Sequence, residues 1–211
     1  MIRAVLFDLD GVLVDACDWH YHALNEALKQ VAGVTINRAE HFTTFNGLPT
    51  TKKLQILTDQ GRIHTKRHKE IWEEKQRRTV SVIKRQAQKD SQKQAMHSRL
   101  RRRGLTLCCV TNSIRETAEL MLSRTGQLSH MCELITNEDV QNPKPSPEGY
   151  QNVMKLLEIL PREALIVEDS EKGFAAAKLS GAHVLRVRNA SDVILESIIA
   201  KIDEIELECD S

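Results

Sequence analysis

Four short clusters of polar side chains have the types and spacing to manage an anion beside a divalent cation. The first is Asp8-Leu9-Asp10-Gly11, which ends the apolar run Ala4-Val5-Leu6-Phe7. In extended backbone, residues two apart point the same way, so Asp8 and Asp10 project together from the end of a strand. Adjacent carboxylates repel, and hard oxygen ligands at this spacing suit Mg²⁺. Gly11 permits a sharp exit and close backbone approach. The second cluster, Thr111-Asn112-Ser113, follows Leu105–Val110 and offers hydroxyl and amide donors for phosphoryl oxygens. The third sets Lys144 between Pro143 and Pro145, where its backbone has little freedom. The fourth, Glu168-Asp169-Ser170, follows Ala164–Val167 and is trailed by Gly173. Singly, each has an ordinary explanation: an Asp-Gly turn, a polar loop, an exposed lysine, a helix cap.

The elements that must position these groups alternate. Short β-type runs near 3–8, 105–111, 132–136, 164–168 and 183–188 are separated by helical stretches. That alternation predicts an α/β fold, a Rossmann-like parallel sheet with helices on both faces. Every candidate group then falls at the carboxyl end of a strand, where open α/β sheets bind ligands. About ninety residues separate the first two strands, and only 92–103 are needed for the crossover helix. The rest is an inserted helical module with a turn at Phe45-Asn46-Gly47-Leu48-Pro49. The expected organisation is a catalytic core of residues 1–15 and 90–211 and a helical module of residues 16–89.

Length and composition suit one core domain with a modest insertion: 211 residues, 41% hydrophobic and 4% aromatic. The apolar run after Arg3 stops at Asp8, too short for a signal peptide or a membrane span. Cys17, Cys108, Cys109, Cys132 and Cys209 form neither an even set nor a metal-spaced one, and read as reduced, mostly buried residues of a cytoplasmic protein. Net charge is only +1, yet residues 52–103 carry 17 Lys and Arg against 5 Asp and Glu. A basic module beside an acidic core would concentrate an anionic substrate; the plainer account is a solvated helical surface. Arg99, Arg101, Arg102 and Arg103 are expected away from the site. With Trp72 as its one aromatic and no recognisable motif, this segment gives no expectation of nucleic-acid binding. Nothing indicates an oligomeric state.

In this order, the four clusters resemble the signature of the haloacid dehalogenase-like hydrolase superfamily, along nearly the whole chain. Within it the chain looks most like the branch with a small helical cap that includes β-phosphoglucomutase and many sugar-phosphate phosphatases. The resemblance implies that Asp8 attacks phosphorus and that Asp10 serves as general acid and then base. It implies Mg²⁺ held by Asp8, the Asp10 backbone carbonyl and Asp169, with Glu168 as a ligand or a support behind the ligands. Thr111, Asn112 and Lys144 would hold the equatorial oxygens. His20 and Lys75 stand where that branch has a histidine near the general acid and a lysine in the cap. Asn46, Thr50 and Lys53 are candidate substrate contacts at the cap turn. The presence of Asp10 separates the chain from relatives that displace halide, which lack an aspartate there.

Two departures bear on the reaction. Thr50 replaces the arginine with which the mutase grips a second phosphate, and Ala16 replaces a hydroxyl residue beside the first cluster. Lys89-Asp90-Ser91 stands in place of the usual Pro-Gly hinge. The expected function is Mg²⁺-dependent hydrolysis of a small phosphorylated metabolite, a sugar or polyol phosphate. The alternatives are a phosphomutase and an inactive phosphate-sensing or partner-binding protein.

Overall fold

A computed structural model describes residues 1–209, the Cys209 side chain lying outside the described set. Its contacts divide the chain into two compact units: Met1–Asp15 with Gln88 onward, and Ala16–Ala87.

The first unit is built on five parallel strands: β1 (Ala4–Phe7), β2 (Thr106–Val110), β3 (Glu133–Ile135), β4 (Ala164–Glu168) and β5 (His183–Arg186). Their spatial order is β3-β2-β1-β4-β5. Register runs Ala4 beside Thr106 on one flank of β1 and Ala4 beside Ala164 on the other. Every residue of β1 and β4 is buried, as their unbroken apolar sequences require of strands covered on both faces. The edge strands are shorter than the sequence runs that suggested them. Chain order reverses direction across the sheet at β1, so the carboxyl ends of β1, β2 and β4 form the switch-point crevice.

The second unit contains α1 (Cys17–Ala32), the single turn α2 (Arg38–Glu40), a π-helical stretch at His41–Phe45, α3 (Thr50–Asp59) and α4 (His68–Gln86). Gly33 closes α1 in the left-handed conformation (φ 68°), its N–H on the carbonyls of Leu28 and Lys29. Leu24, Leu28, Phe45, Leu54, Leu57 and Ile71 make a core of this unit's own.

The remaining helices return to the sheet: α5 (Ser91–Arg102), α6 (Arg115–Arg124), α7 (Glu148–Leu156), α8 (Glu171–Ser180) and α9 (Leu195–Cys209). Asp90 caps α5, its carboxylate accepting from the Lys93 N–H at 2.9 Å, which starts the helix one residue earlier than its apolar pattern suggested.

Two details refine the expectations about side chains. Cys132 is exposed, because it precedes an edge strand; Cys108 and Cys109 are buried and Cys17 is half-buried. The basic segment is not uniformly solvated: Lys53, Lys75 and Lys93 are buried. Lys93 Nζ donates to the carbonyls of Ala190 and Val193, both at 2.7 Å, and works as a structural tie to the segment before α9. Among the described residues, no helix is long and apolar enough to cross a membrane.

Candidate functional site

Strand ends carry three of the four clusters to one place. Asp8 leaves β1 with its N–H on the Val167 carbonyl at 3.0 Å, and Glu168 is the last residue of β4. Lys144 arrives from the loop before α7 and lies between them. Its Nζ donates to Asp8 Oδ1 at 2.6 Å and to Glu168 Oε1 at 2.5 Å, all three side chains being buried. Tyr150 on α7 donates its hydroxyl to Glu168 Oε1 at 2.8 Å and sets its ring 4.8 Å from the ammonium. The other Glu168 oxygen accepts from the Asp169 N–H at 3.1 Å. Glu168 therefore spends both oxygens on holding Lys144 and the turn into α8.

The Asn112 side chain turns to the lysine: Nδ2 donates to the Lys144 carbonyl and Oδ1 accepts from the Lys144 N–H, both at 3.0 Å. An amide presents a donor and an acceptor side by side, which matches one residue's own N–H and C=O, so Asn112 clamps the lysine main chain. Thr111 is buried at the end of β2, and its Oγ1 accepts from the Ser113 N–H at 3.0 Å. Ser113 in turn donates its hydroxyl to Asp10 Oδ2 at 2.7 Å.

Charge in this crevice is out of balance. Asp8, Asp10, Glu168 and Asp169 bring four carboxylates against the single Lys144 ammonium. Burial pushes the Asp8 carboxyl well above the usual range, with Glu168, Asp169 and Asp10 adding to the effect and Lys144 opposing it. Burial and Glu168 push Asp169 up to about 7. For Lys144, burial favours the neutral amine, but Asp8 and Glu168 outweigh it and hold the ammonium well above its usual range.

These residues fit a divalent cation. One oxygen each from Asp8, Glu168 and Asp169 lies within 4.8 Å of the others. Asp169 Oδ1 is buried with no hydrogen-bond partner, as an oxygen kept for a cation would be. Gly11 (φ 93°) leaves the space: a Cβ there would stand 2.2 Å from Asp169 Oδ2.

A match to the family described as haloacid dehalogenase-like hydrolase spans residues 5–187, most of both units. The chain belongs to this family. As a haloacid dehalogenase-like hydrolase it has relatives named pyrophosphatase PpaX, one of which, from Bacillus cereus (strain B4264), is 28% identical over 198 residues, 88% of this chain and 83% of that protein. Validoxylamine A 7′-phosphate phosphatase of Streptomyces hygroscopicus subsp. limoneus is 36% identical over 83 residues, 39% of each chain. Among solved structures, β-phosphoglucomutase from Clostridium difficile superposes with a TM-score of 0.84 at 21% identity, covering 98% of this chain and 100% of that one. CbbY from Rhodobacter sphaeroides in complex with phosphate gives 0.77 at 22%, covering 88% and 86%. At these identities the two structures establish a shared fold.

The remaining candidates, His20, Asn46, Thr50, Lys53 and Lys75, belong to the helical unit. Lys75 Nζ lies 3.3 Å from His20 Nδ1, so these two are partners across α1 and α4. Thr50 opens α3 behind Pro49, and Lys53 is one turn further on; both are buried. Asn46 ends the π-helical stretch, its N–H on the His41 carbonyl at 2.8 Å.

Sequence reasoning missed Tyr150 and gave no separate role to Ser113. Ser113 was recoverable as the third polar residue of its cluster. Tyr150 was not, because on α7 it reads as one more member of the apolar stripe with Val153 and Met154. Gly173, one turn into α8, is needed for space: a Cβ there would fall 1.9 Å from Glu168 Oε1.

Proposed function

We propose that this enzyme is an Mg²⁺-dependent phosphatase that hydrolyses a small phosphorylated metabolite, a sugar or polyol phosphate, through a phosphorylated Asp8. The observation that carries the reading is the Lys144 ammonium held between Asp8 and Glu168, next to an unpartnered buried oxygen of Asp169. A single fixed cation beside a strand-end carboxylate is what a phosphoryl group needs in order to approach an anionic nucleophile.

Asp8 attacks phosphorus in line; the new P–O bond forms as the bond to the leaving oxygen breaks. Asp10, oriented by the Ser113 hydroxyl, donates its proton to that leaving oxygen. It then takes a proton from the water that attacks the phosphorylated Asp8, and inorganic phosphate departs. Lys144 and the hydroxyl of Thr111 steady the equatorial oxygens, where charge gathers in a loose transition state. Asp8, the Asp10 carbonyl and Asp169 would hold Mg²⁺, with Glu168 supporting them through Lys144. When bound, the cation offsets a repulsion of about 4 kcal/mol between two like charges roughly 4 Å apart at an effective dielectric of ~20. Selection among organic groups is assigned to the helical unit's His20, Asn46, Thr50 and Lys75. The odd, unspaced cysteine set supports a cytoplasmic setting.

Phosphate release from a panel of sugar and polyol phosphates, with Mg²⁺ and with chelator, tests this. Metal-dependent turnover by wild type and none by Asp8→Asn is the expected result; no metal-dependent release from any of the panel overturns it. A second reading, hydrolysis of inorganic pyrophosphate, is favoured by the likeness to proteins named pyrophosphatase over 88% of the chain. Asp10→Asn separates the two. An alkoxide leaving group needs the proton far more than a phosphate leaving group does, so the variant should lose sugar-phosphate turnover more heavily than pyrophosphate turnover.

A further inference from the structure

Behind the reaction centre, in the same α/β unit, lies a buried polar chain that the chemistry above does not use. The turn after β1 is closed by its own backbone: Leu13 and Val14 N–H groups donate to the Leu9 carbonyl at 3.0 and 2.9 Å, and Gly11 N–H donates to the Val14 carbonyl at 2.8 Å. The Leu13 carbonyl of that turn accepts from Gln127 Nε2 at 3.0 Å, across 114 residues of sequence. Gln127 is fully buried. Its second amide hydrogen goes to Thr125 Oγ1 at 3.0 Å, and its oxygen faces His97 Nε2 at 2.9 Å. The Thr125 hydroxyl gives its own hydrogen to the Met121 carbonyl at 2.8 Å, so it can only accept from Gln127. These partners decide which way the amide points. Flipped, it would set oxygen against the Leu13 carbonyl. His97 completes the arrangement, since its ring meets Phe7, the residue before Asp8, edge to face at 5.5 Å.

Met96, Leu100, Met121 and Leu122 are buried on α5 and α6, the helices that carry His97 and lead into Thr125. An apolar side chain would suit such surroundings, whereas an amide pays for its dehydration unless every group is met. All three amide groups of Gln127 are met, although His97 Nδ1 has no hydrogen-bond partner, and an amide so held selects one arrangement of the chain around it.

We propose that Gln127, oriented by His97, is a positioning residue that holds the Leu9–Val14 turn and so fixes Asp8 and Asp10 relative to Lys144. The inference rests on the hydrolytic reading of those two aspartates, and its test has one arm that does not.

Gln127→Met keeps the volume and removes the donor to Leu13. Thr125→Val leaves one Gln127 hydrogen unmet but keeps the bond to Leu13, and serves as the matched destabilised control. In the first arm, amide hydrogen exchange in the substrate-free protein should show Leu13 and Val14 exchanging at least about tenfold faster in Gln127→Met than in Thr125→Val. In the second, with whichever phosphate ester the wild type turns over, Gln127→Met should lose about tenfold or more in kcat at a KM within twofold, with a displaced pH profile. Thr125→Val should keep kcat within twofold. Should Gln127→Met fail to fold, His97→Phe retains the ring on Phe7, removes the donor to Gln127, and should give the same pattern at smaller amplitude. Unchanged exchange at Leu13 and Val14, or equal losses in both variants, overturns the proposal. A wild type with no turnover at all defeats the hydrolytic reading instead, and the exchange arm still decides whether Gln127 holds the turn.

Discussion

The two units bury charge in opposite ways. In the α/β unit, Lys144, Asp8, Glu168 and Tyr150 come from four separate elements and are mutually satisfied inside a buried crevice. In the helical unit most ion-paired groups are exposed or half-buried: Arg38 with Asp18, Arg62 with Glu40, and Arg78 with Glu26 and with Glu74, of which Glu74 alone is buried. The titratable groups buried there include His41, whose two ring nitrogens have no hydrogen-bond partner. One unit therefore spends its buried charge on holding a reacting carboxylate. The other keeps most of its ion-paired groups at or near the surface, where screening makes them cheap to change, and buries Lys53, Glu74 and Lys75 besides His41. Substitutions in the first should move chemistry and stability together, and substitutions in the exposed ion pairs of the second should move neither very far.

The sharpest way to break that contrast is Asp8→Asn, which should lower turnover at least about a thousandfold, a barrier rise of roughly 4 kcal/mol, with the fold intact by circular dichroism. Next is Lys144→Met. It leaves two buried carboxylates without their cation and should cost about 3 kcal/mol or more in urea unfolding, as well as activity; a small cost would mean the crevice is wetter than its burial implies.

Acid should bring out the buried histidines in both units. Burial, with Lys53 adding, lowers His41 to about 3, and burial lowers His97 to about 4. An unfolded histidine titrates near 6.5, so between that pH and the folded values the unfolded chain binds the extra proton and acid favours unfolding. Stability is whole above pH 6.5 and falls as pH drops, each histidine contributing about 1.4 kcal/mol per pH unit. His41→Phe should flatten the slope measured between pH 7 and 5.

Gly173→Ala sharpens the comparison by sign. Alanine in place of a helical glycine ordinarily stabilises by up to about 1 kcal/mol. Here the new methyl would strike the Glu168 carboxylate, and a loss of about 1–3 kcal/mol with reduced activity is expected. The smallest effect belongs to Arg78→Ala, under about 1 kcal/mol, because its partner Glu26 is exposed and the buried Glu74 carboxylate keeps its pairing with Arg77.

Much of this was readable in the chain. Strands buried on both faces must be short unbroken apolar runs, so β1, β2 and β4 announced themselves, and with them the polar residues that end each run. The edge strands and Cys132 were less legible, since an edge is defined by the neighbour it lacks and no local pattern records that.

Amino-acid order alone was enough for the parallel sheet, the helices between β1 and β2, and the polar clusters that end β1, β2 and β4, because period, length and turn chemistry are local properties. The tertiary structure decided who meets whom. Asn112 turns to the Lys144 main chain, Tyr150 reaches Glu168 from a helix stripe that reads as core, and Gln127 finds a carbonyl 114 residues away. It also decided which lysines of a uniformly basic segment are buried, since composition fixes how much charge a helix carries but not which face it packs inward.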